Sequence, residues 1–218
     1  MPHFAERSWA FPAIYRQRDS GVADSPTTRV SLLVRIRDRC DAEAWAEFVE
    51  IYAPLVYALA RRHGAQDADA ADLTQEVLKT VMRTAPSFVY DPQRGSFRGW
   101  LLTVARNQVR KWLNACRRHP PSGGVESQRL LEAQAAPADE TARWDQEYHQ
   151  RLFEWAAEKV RPSFRPATWQ AFWQTTVENR DVRVVAAALG LSLGAVYIAR
   201  SRVLARIKEQ VQQLDEQL

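Results

Sequence analysis

Apolar residues recur at steps of three and four along most of the chain. Leu32, Leu33, Ile36, and then Trp45, Phe48, Ile51, Tyr52, Leu55, Val56 and Leu59 trace one helical face. Pro54 interrupts this face. Having no N–H for the ladder, it must either kink one helix or sit in the first turn of the next. Gly64 closes the stretch, and Asp67, Asp69 and Asp72 crowd the start of a further helix, where carboxylates meet the positive end of the dipole. Its stripe reads Leu73, Val77, Leu78, Val81 and Met82. Pro86, Pro92 and Gly95 mark a turn, and Phe97, Leu101, Val104, Ala105, Val109, Trp112, Leu113 and Cys116 carry a long helix after it. Strand-like alternation of useful length and repeats of fixed period are both missing from the sequence. The pattern predicts an all-α protein.

Breaks in the pattern divide the chain. Residues 1–28 mix Arg, Ser, Pro and isolated aromatics without periodicity and read as a mobile extension. Residues 29–118 form a first helical domain. Residues 119–143, with Pro120, Pro121, Gly123, Gly124 and Pro137, have the composition of a flexible linker. Residues 144–218 form a second small helical domain: Trp144 to Val160, Trp169 to Val177, and a last pair of helices flanking Gly190.

Composition narrows the function classes. In 218 residues there are 8 glycines, against roughly 15 at average usage, which disfavours glycine-rich phosphate loops. Two distant cysteines, Cys40 and Cys116, form neither a disulfide scaffold nor a zinc module and fit a reducing cytoplasm. The longest apolar runs fall short of a membrane span, and a signal-peptide core is missing. The four histidines are scattered, and the Asp67, Asp69, Asp72, Glu76 cluster lacks the Gly and terminal Glu of a calcium loop. The reading is of a cytoplasmic protein that is not an enzyme and uses neither metal nor cofactor.

Charge changes the picture once it is resolved along the chain. The total is only +4, but Pro92 to Val125 holds seven cations and no acid, and Val182 to Lys208 holds five cations and no acid. Those windows carry +12, so the rest of the chain carries −8. In the first, Arg106, Arg110 and Asn114 recur at every fourth residue beside Asn107 and Lys111. Cations, amides and nearby aromatics on one helix suit a nucleic-acid backbone and exposed bases; a solvated helix face is the alternative.

The second window fits a helix-turn-helix. Val185 and Leu189 face inward, Ala186 allows a close crossing, Gly190 makes the turn, Ser192 caps the second helix, and Val196 and Ala199 pack back. Tyr197, Arg200, Ser201, Arg202 and Arg206 then lie outward, able to reach base edges and phosphates. An αα-hairpin within a bundle is the competing reading.

At these residues the chain resembles the bacterial RNA polymerase sigma factors of the extracytoplasmic-function type. The resemblance covers about Ala44 to Arg118 and Arg143 to Leu214. Asp72-Leu73-Thr74-Gln75-Glu76-Val77 looks like the family's acidic core-binding helix, which implies polymerase contacts by Asp72, Leu73, Gln75, Glu76 and Lys79. The segment from Phe88 to Gly99 and the following Trp100 to Asn107 look like its promoter −10 region, implying DNA contacts by Arg98, Trp100, Arg106, Asn107, Arg110 and Lys111. The helix-turn-helix resembles its −35 reader. Many members carry Lys-Ser-Arg after the Val of that helix; here Tyr197-Ile198-Ala199 follows Val196, which implies a different −35 preference. The implied partners are core RNA polymerase, through the β′ coiled coil, promoter DNA and an anti-sigma factor. Two rival readings remain at this point: a stand-alone helix-turn-helix regulator, and a helical interaction adaptor.

Overall fold

The computed structural model describes residues 32–87, 97–118 and 137–215. Among them every regular element is helical, as the periodicity predicts: α1 (Leu32–Arg35), α2 (Ala42–Arg62), α3 (Asp67–Thr84), α4 (Phe97–Arg118), α5 (Pro137–Val160), α6 (Pro166–Phe172), α7 (Val182–Leu189) and α8 (Leu193–Asp215). The chain divides into two compact units, one within Val30–Trp155 and the other within Ala156–Val211. This division falls inside α5, beyond the expected domain start at 144. The expected extension and most of the expected linker lie outside the described residues.

In the first unit, α2, α3 and α4 pack on one another. Asp41 caps α2, its Oδ1 accepting from the Ala44 N–H at 2.9 Å, and such a cap contributes about 1 kcal/mol. The same carboxylate takes a two-pronged ion pair from Arg35, which also reaches Glu43 and Glu47 and ties α1 to α2. The Arg35 hydrogen bonds hold the Asp41 carboxyl below the usual range. Gly64, at φ 85°, ends the stretch in the left-handed region, with the Ala65 N–H bonded back to the Ala60 carbonyl.

The core of this unit is aromatic at one end. Phe48, Tyr52 and Phe97 are buried, with ring centroids 4.6 to 6.0 Å apart. The other end is small and aliphatic: Ala60, Ala65, Ala70, Leu73 and Val109, closed over by Tyr57, Trp112 and Leu113. One expectation is corrected. Met82 is not part of the α3 stripe but is 44% exposed, because Val81 and Ala85, both buried, take the inward positions at this end of the helix and the residue after Val81 turns outward. Of the two alternatives at Pro54 the structure has the first: α2 continues through it as one helix, and no other helix starts there.

α5 lays a stripe of Glu140, Trp144, Tyr148, Leu152 and Trp155 inward at helical spacing. Tyr148 stacks on Tyr52 at 5.6 Å. Trp155 Nε1 donates to the Glu50 carboxylate, Arg151 Nε to the Glu50 carbonyl, and Arg62 to Glu147. Through these contacts α5 as far as Trp155 is an integral wall of the first unit.

The second unit is built on small residues. Ala171, Ala186, Val196 and Ala199 form its buried cluster, flanked by Val182, Leu189 and Leu191. Asp181 caps α7 by accepting from the Arg183 and Val184 N–H groups. Gly190 ends α7 at φ 64°, and the Leu191 N–H returns to the Ala186 carbonyl. Ser192 Oγ then caps α8 by accepting from the Ala195 N–H at 3.1 Å. The two helices meet at a bend of 101°. Among the described residues no single helix is long and apolar enough to cross a membrane.

Candidate nucleic-acid and protein interfaces

α4 carries the first basic window, and its packing decides which cations are available. Phe97, Leu101, Leu102, Ala105 and Val109 turn into the bundle. Asn107, Arg110 and Lys111 consequently lie on the exposed side, joined by Asn114, Arg117 and Arg118. Arg110 leans on Asn107, donating to its Oδ1 at 3.5 Å. Together they make a cationic, amide-bearing surface about three turns long, able to contact phosphates and the edges of unpaired bases.

The other expected members of this face are placed differently. Arg106 is half-buried, donating to the Glu140 carboxylate and to Thr141 Oγ1 of α5. Glu140 also hydrogen-bonds His63 Nε2 at 2.7 Å, and its side chain is only 9% exposed. Burial alone would raise the Glu140 carboxyl, but the hydrogen bonds and charges of Arg106 and His63 outweigh it and hold it below the ordinary value. Arg98 lies with its guanidinium 4.6 Å over the Tyr148 ring, a cation–π contact. Trp100 is half-buried, 5.3 Å from Phe97. Arg98 and Arg106 are therefore neutralised or covered by α5, because its acidic first turn docks against the basic helix. The expected loop before α4, residues 88–96, lies outside the described residues.

α3 offers a second surface. Asp72, Gln75, Glu76 and Lys79 are exposed along one side. Glu76 pairs with Lys79 at 2.9 Å, and that hydrogen bond lowers the Glu76 carboxyl. Leu73 does not belong to the surface: it is buried with Ala70 and Val109, since its position on α3 points into the bundle. Asp67 is taken up by Arg61 and the Tyr57 hydroxyl. Among the described residues no group of acids, histidines and cysteines could hold a metal ion.

On α8, Val196, Ala199, Val203 and Ile207 are buried, so Tyr197, Ser201, Arg202 and Arg206 point outward. Arg206 pairs with Glu209 at 2.7 Å. Arg200 is only half-buried, at the flank of the packed stripe. Ile198, which sequence reasoning passed over, is 54% exposed on the same side.

Sequence reasoning also missed α5 as a partner of α4. The spacing of Glu140 from Trp144, Tyr148 and Leu152 was the available signal: a carboxylate in an otherwise apolar stripe needs a buried cation.

Residues 48–119 match the family model of Sigma-70 region 2. Over 207 residues the chain is 28% identical to the ECF RNA polymerase sigma factor SigE of Mycolicibacterium smegmatis, an alignment covering 93% of this chain and 70% of that protein. It is 35% identical over 82 residues to the ECF RNA polymerase sigma factor RpoE of Cereibacter sphaeroides, covering 38% of this chain and 44% of that one. It is 33% identical over 87 residues to the ECF RNA polymerase sigma factor BldN of Streptomyces coelicolor, 40% of this chain and 32% of the relative. The matched span from Phe48 includes α3, α4 and most of α2, the helices that carry the exposed acidic and basic faces.

Proposed function

We propose that the chain is an extracytoplasmic-function sigma factor of the sigma-70 family, as its similarity to the Sigma-70 region 2 model and to three such factors supports, and that it directs core RNA polymerase to specific promoters and assists in melting their −10 element. It acts in the cytoplasm as a specificity subunit rather than an enzyme. The first unit carries the exposed α3 side, Asp72, Gln75, Glu76 and Lys79, to the β′ coiled coil of polymerase. Asn107, Arg110 and Lys111 of α4 hold the displaced −10 strand, where cationic and amide contacts offset the few kcal/mol that each unstacked base costs. In the second unit, α7 and α8 serve as a helix-turn-helix whose exposed Tyr197, Ser201 and Arg202 meet the −35 duplex. The same similarity supports an anti-sigma factor as a further partner without identifying one.

The observation that carries this reading is the placement of the two acid-free cationic stretches, on α4 and on α7 with the first part of α8, in separate compact units, with Arg110 and Lys111 exposed on the one and Arg202 on the other. Two separated duplex or strand contacts are what a two-element promoter requires. The test is reconstitution: the purified protein added to core polymerase yields transcripts with defined 5′ ends on host DNA. Tight operator binding by the protein alone, with no polymerase-dependent transcript, favours a stand-alone regulator instead.

A further inference from the structure

The exposed side of α8 is unusually apolar for a surface bordered by arginines. Tyr197 is 57% exposed, Ile198 54% and Leu193 45%, and Gly194 lies between them. Fold stability does not account for these choices. Ile is a weaker helix former than the charged residues that normally fill such positions, and its side chain here packs on little. Gly194 needs no left-handed backbone, and a Cβ there would meet only Ser192 Oγ at 3.9 Å, so nothing within the unit excludes a side chain. The bare backbone leaves room for something outside.

Charge indicates what that is. Arg202 is exposed one turn along α8 from Ile198, Arg183 and Lys208 are exposed elsewhere on α7 and α8, and no acid occurs between Val182 and Lys208, a setting that attracts phosphates and repels most cationic protein faces. On a B-form major groove, base edges offer hydrogen-bond donors and acceptors, which Ile and Leu cannot use. The one apolar group there is the C5-methyl of thymine. Resting on the sigma-factor reading, we infer that Tyr197 and Ile198, with Leu193 at the rim, select promoters by packing on thymine methyl groups of the −35 element, while Gly194 lets the helix approach closely.

The experiment uses the holoenzyme. Promoters are first defined by mapping 5′ ends of its transcripts, and promoter fragments are then made with thymine or uracil at the −35 positions only. Uracil pairs identically but lacks the methyl. The expected result is a loss of about fourfold in affinity per contacted methyl, a loss that shrinks in Ile198→Ala and Tyr197→Ala, whose exposed positions leave thermal stability unchanged. Gly194→Ala, which favours the helix, weakens binding to thymine and uracil fragments alike. Equal binding of both fragments by the unaltered holoenzyme overturns the inference, as does an undiminished penalty in both variants. Loss of core polymerase binding in those variants would make the patch a protein dock and overturn it too. Failure to obtain promoter-specific transcripts at the first step instead removes the sigma-factor reading on which it rests.

Discussion

Arg151 Nε donates to the main-chain carbonyl of Glu50 at 3.0 Å, the carbonyl that Pro54, four residues on and without an N–H, leaves unpaired inside α2. The bond lies at the exposed side of α2, so it is worth an ordinary hydrogen bond, about 0.5 to 1.5 kcal/mol, and not the larger penalty of a buried unpartnered group. A proline that would ordinarily weaken a helix thus becomes an attachment point for α5, reinforced by Trp155 Nε1 on the Glu50 side chain at 3.1 Å. In a urea-unfolding double-mutant cycle, Arg151→Ala costs about 1 kcal/mol in the natural background and markedly less in Pro54→Ala, where the new N–H takes the carbonyl. The Arg151–Glu154 pair is common to both backgrounds and cancels. Equal losses would show that this carbonyl does not link the two helices.

The buried Glu140 makes the same attachment depend on pH. Its folded carboxyl lies below the ordinary value through Arg106 and His63. Its stabilising contribution is therefore complete above the usual carboxylate range and is lost as pH falls through the lower folded value. Glu140→Gln should cost about 2 kcal/mol at neutral pH. Thermal melts of the two proteins should converge as the medium is acidified toward pH 3. Parallel curves across the whole range would contradict the assignment.

These two attachments mark where the sequence stopped being legible. The helices of the first unit and the Gly190 turn could be read because their signals are local: periodic apolar residues, caps and a position that demands positive φ. The fate of Arg98 and Arg106 could not. Both sit on a helix whose neighbours in sequence are basic, and the groups that engage them, Tyr148 and Glu140, come from a segment 34 or more residues away. Pattern reasoning assigns a cation to a helix face but not to a distant acid. Leu73 was misplaced for a different reason, since a family motif names consecutive residues while a helix turns each by about 100°, burying one among exposed neighbours.

The exposed side of α3 gives a direct contrast. Gln75→Ala with Glu76→Ala should lower affinity for core polymerase about tenfold or more, the scale of a truncated interface anchor, while leaving thermal stability and duplex binding intact. Leu73→Ala should do the reverse, destabilising the bundle by about 2 to 5 kcal/mol. Fluorescence titration against core polymerase, paired with thermal melts, separates the two. A double variant with unchanged polymerase affinity would remove this side of α3 from the interface.

Removing Gly190 tests the geometry that presents α8. Its φ of 64° lies in the left-handed region, which glycine adopts without the strain an alanine meets, and a Cβ added there meets nothing within 4 Å, so Gly190→Ala suffers backbone strain alone, about 1 kcal/mol. The second unit should melt a few degrees lower, with its helix content unchanged by circular dichroism at 25 °C. An unshifted melting curve would mean that the turn can relax without the left-handed residue.

Salt dependence distinguishes the arginines of α8. Each phosphate contact contributes roughly one unit to the slope of log K against log salt. Arg202 is exposed and has no carboxylate partner among the described residues, whereas Arg206 is held by Glu209 at 2.7 Å and must surrender that pair to reach DNA. Arg202→Ala should therefore flatten the slope by about one unit and weaken binding similarly across promoter sequences, because a phosphate contact carries no base information. Arg206→Ala should flatten it by less. Holoenzyme titrations of a −35 fragment between 50 and 200 mM salt measure both slopes, and an unchanged slope in Arg202→Ala would place the DNA on a different face of the helix.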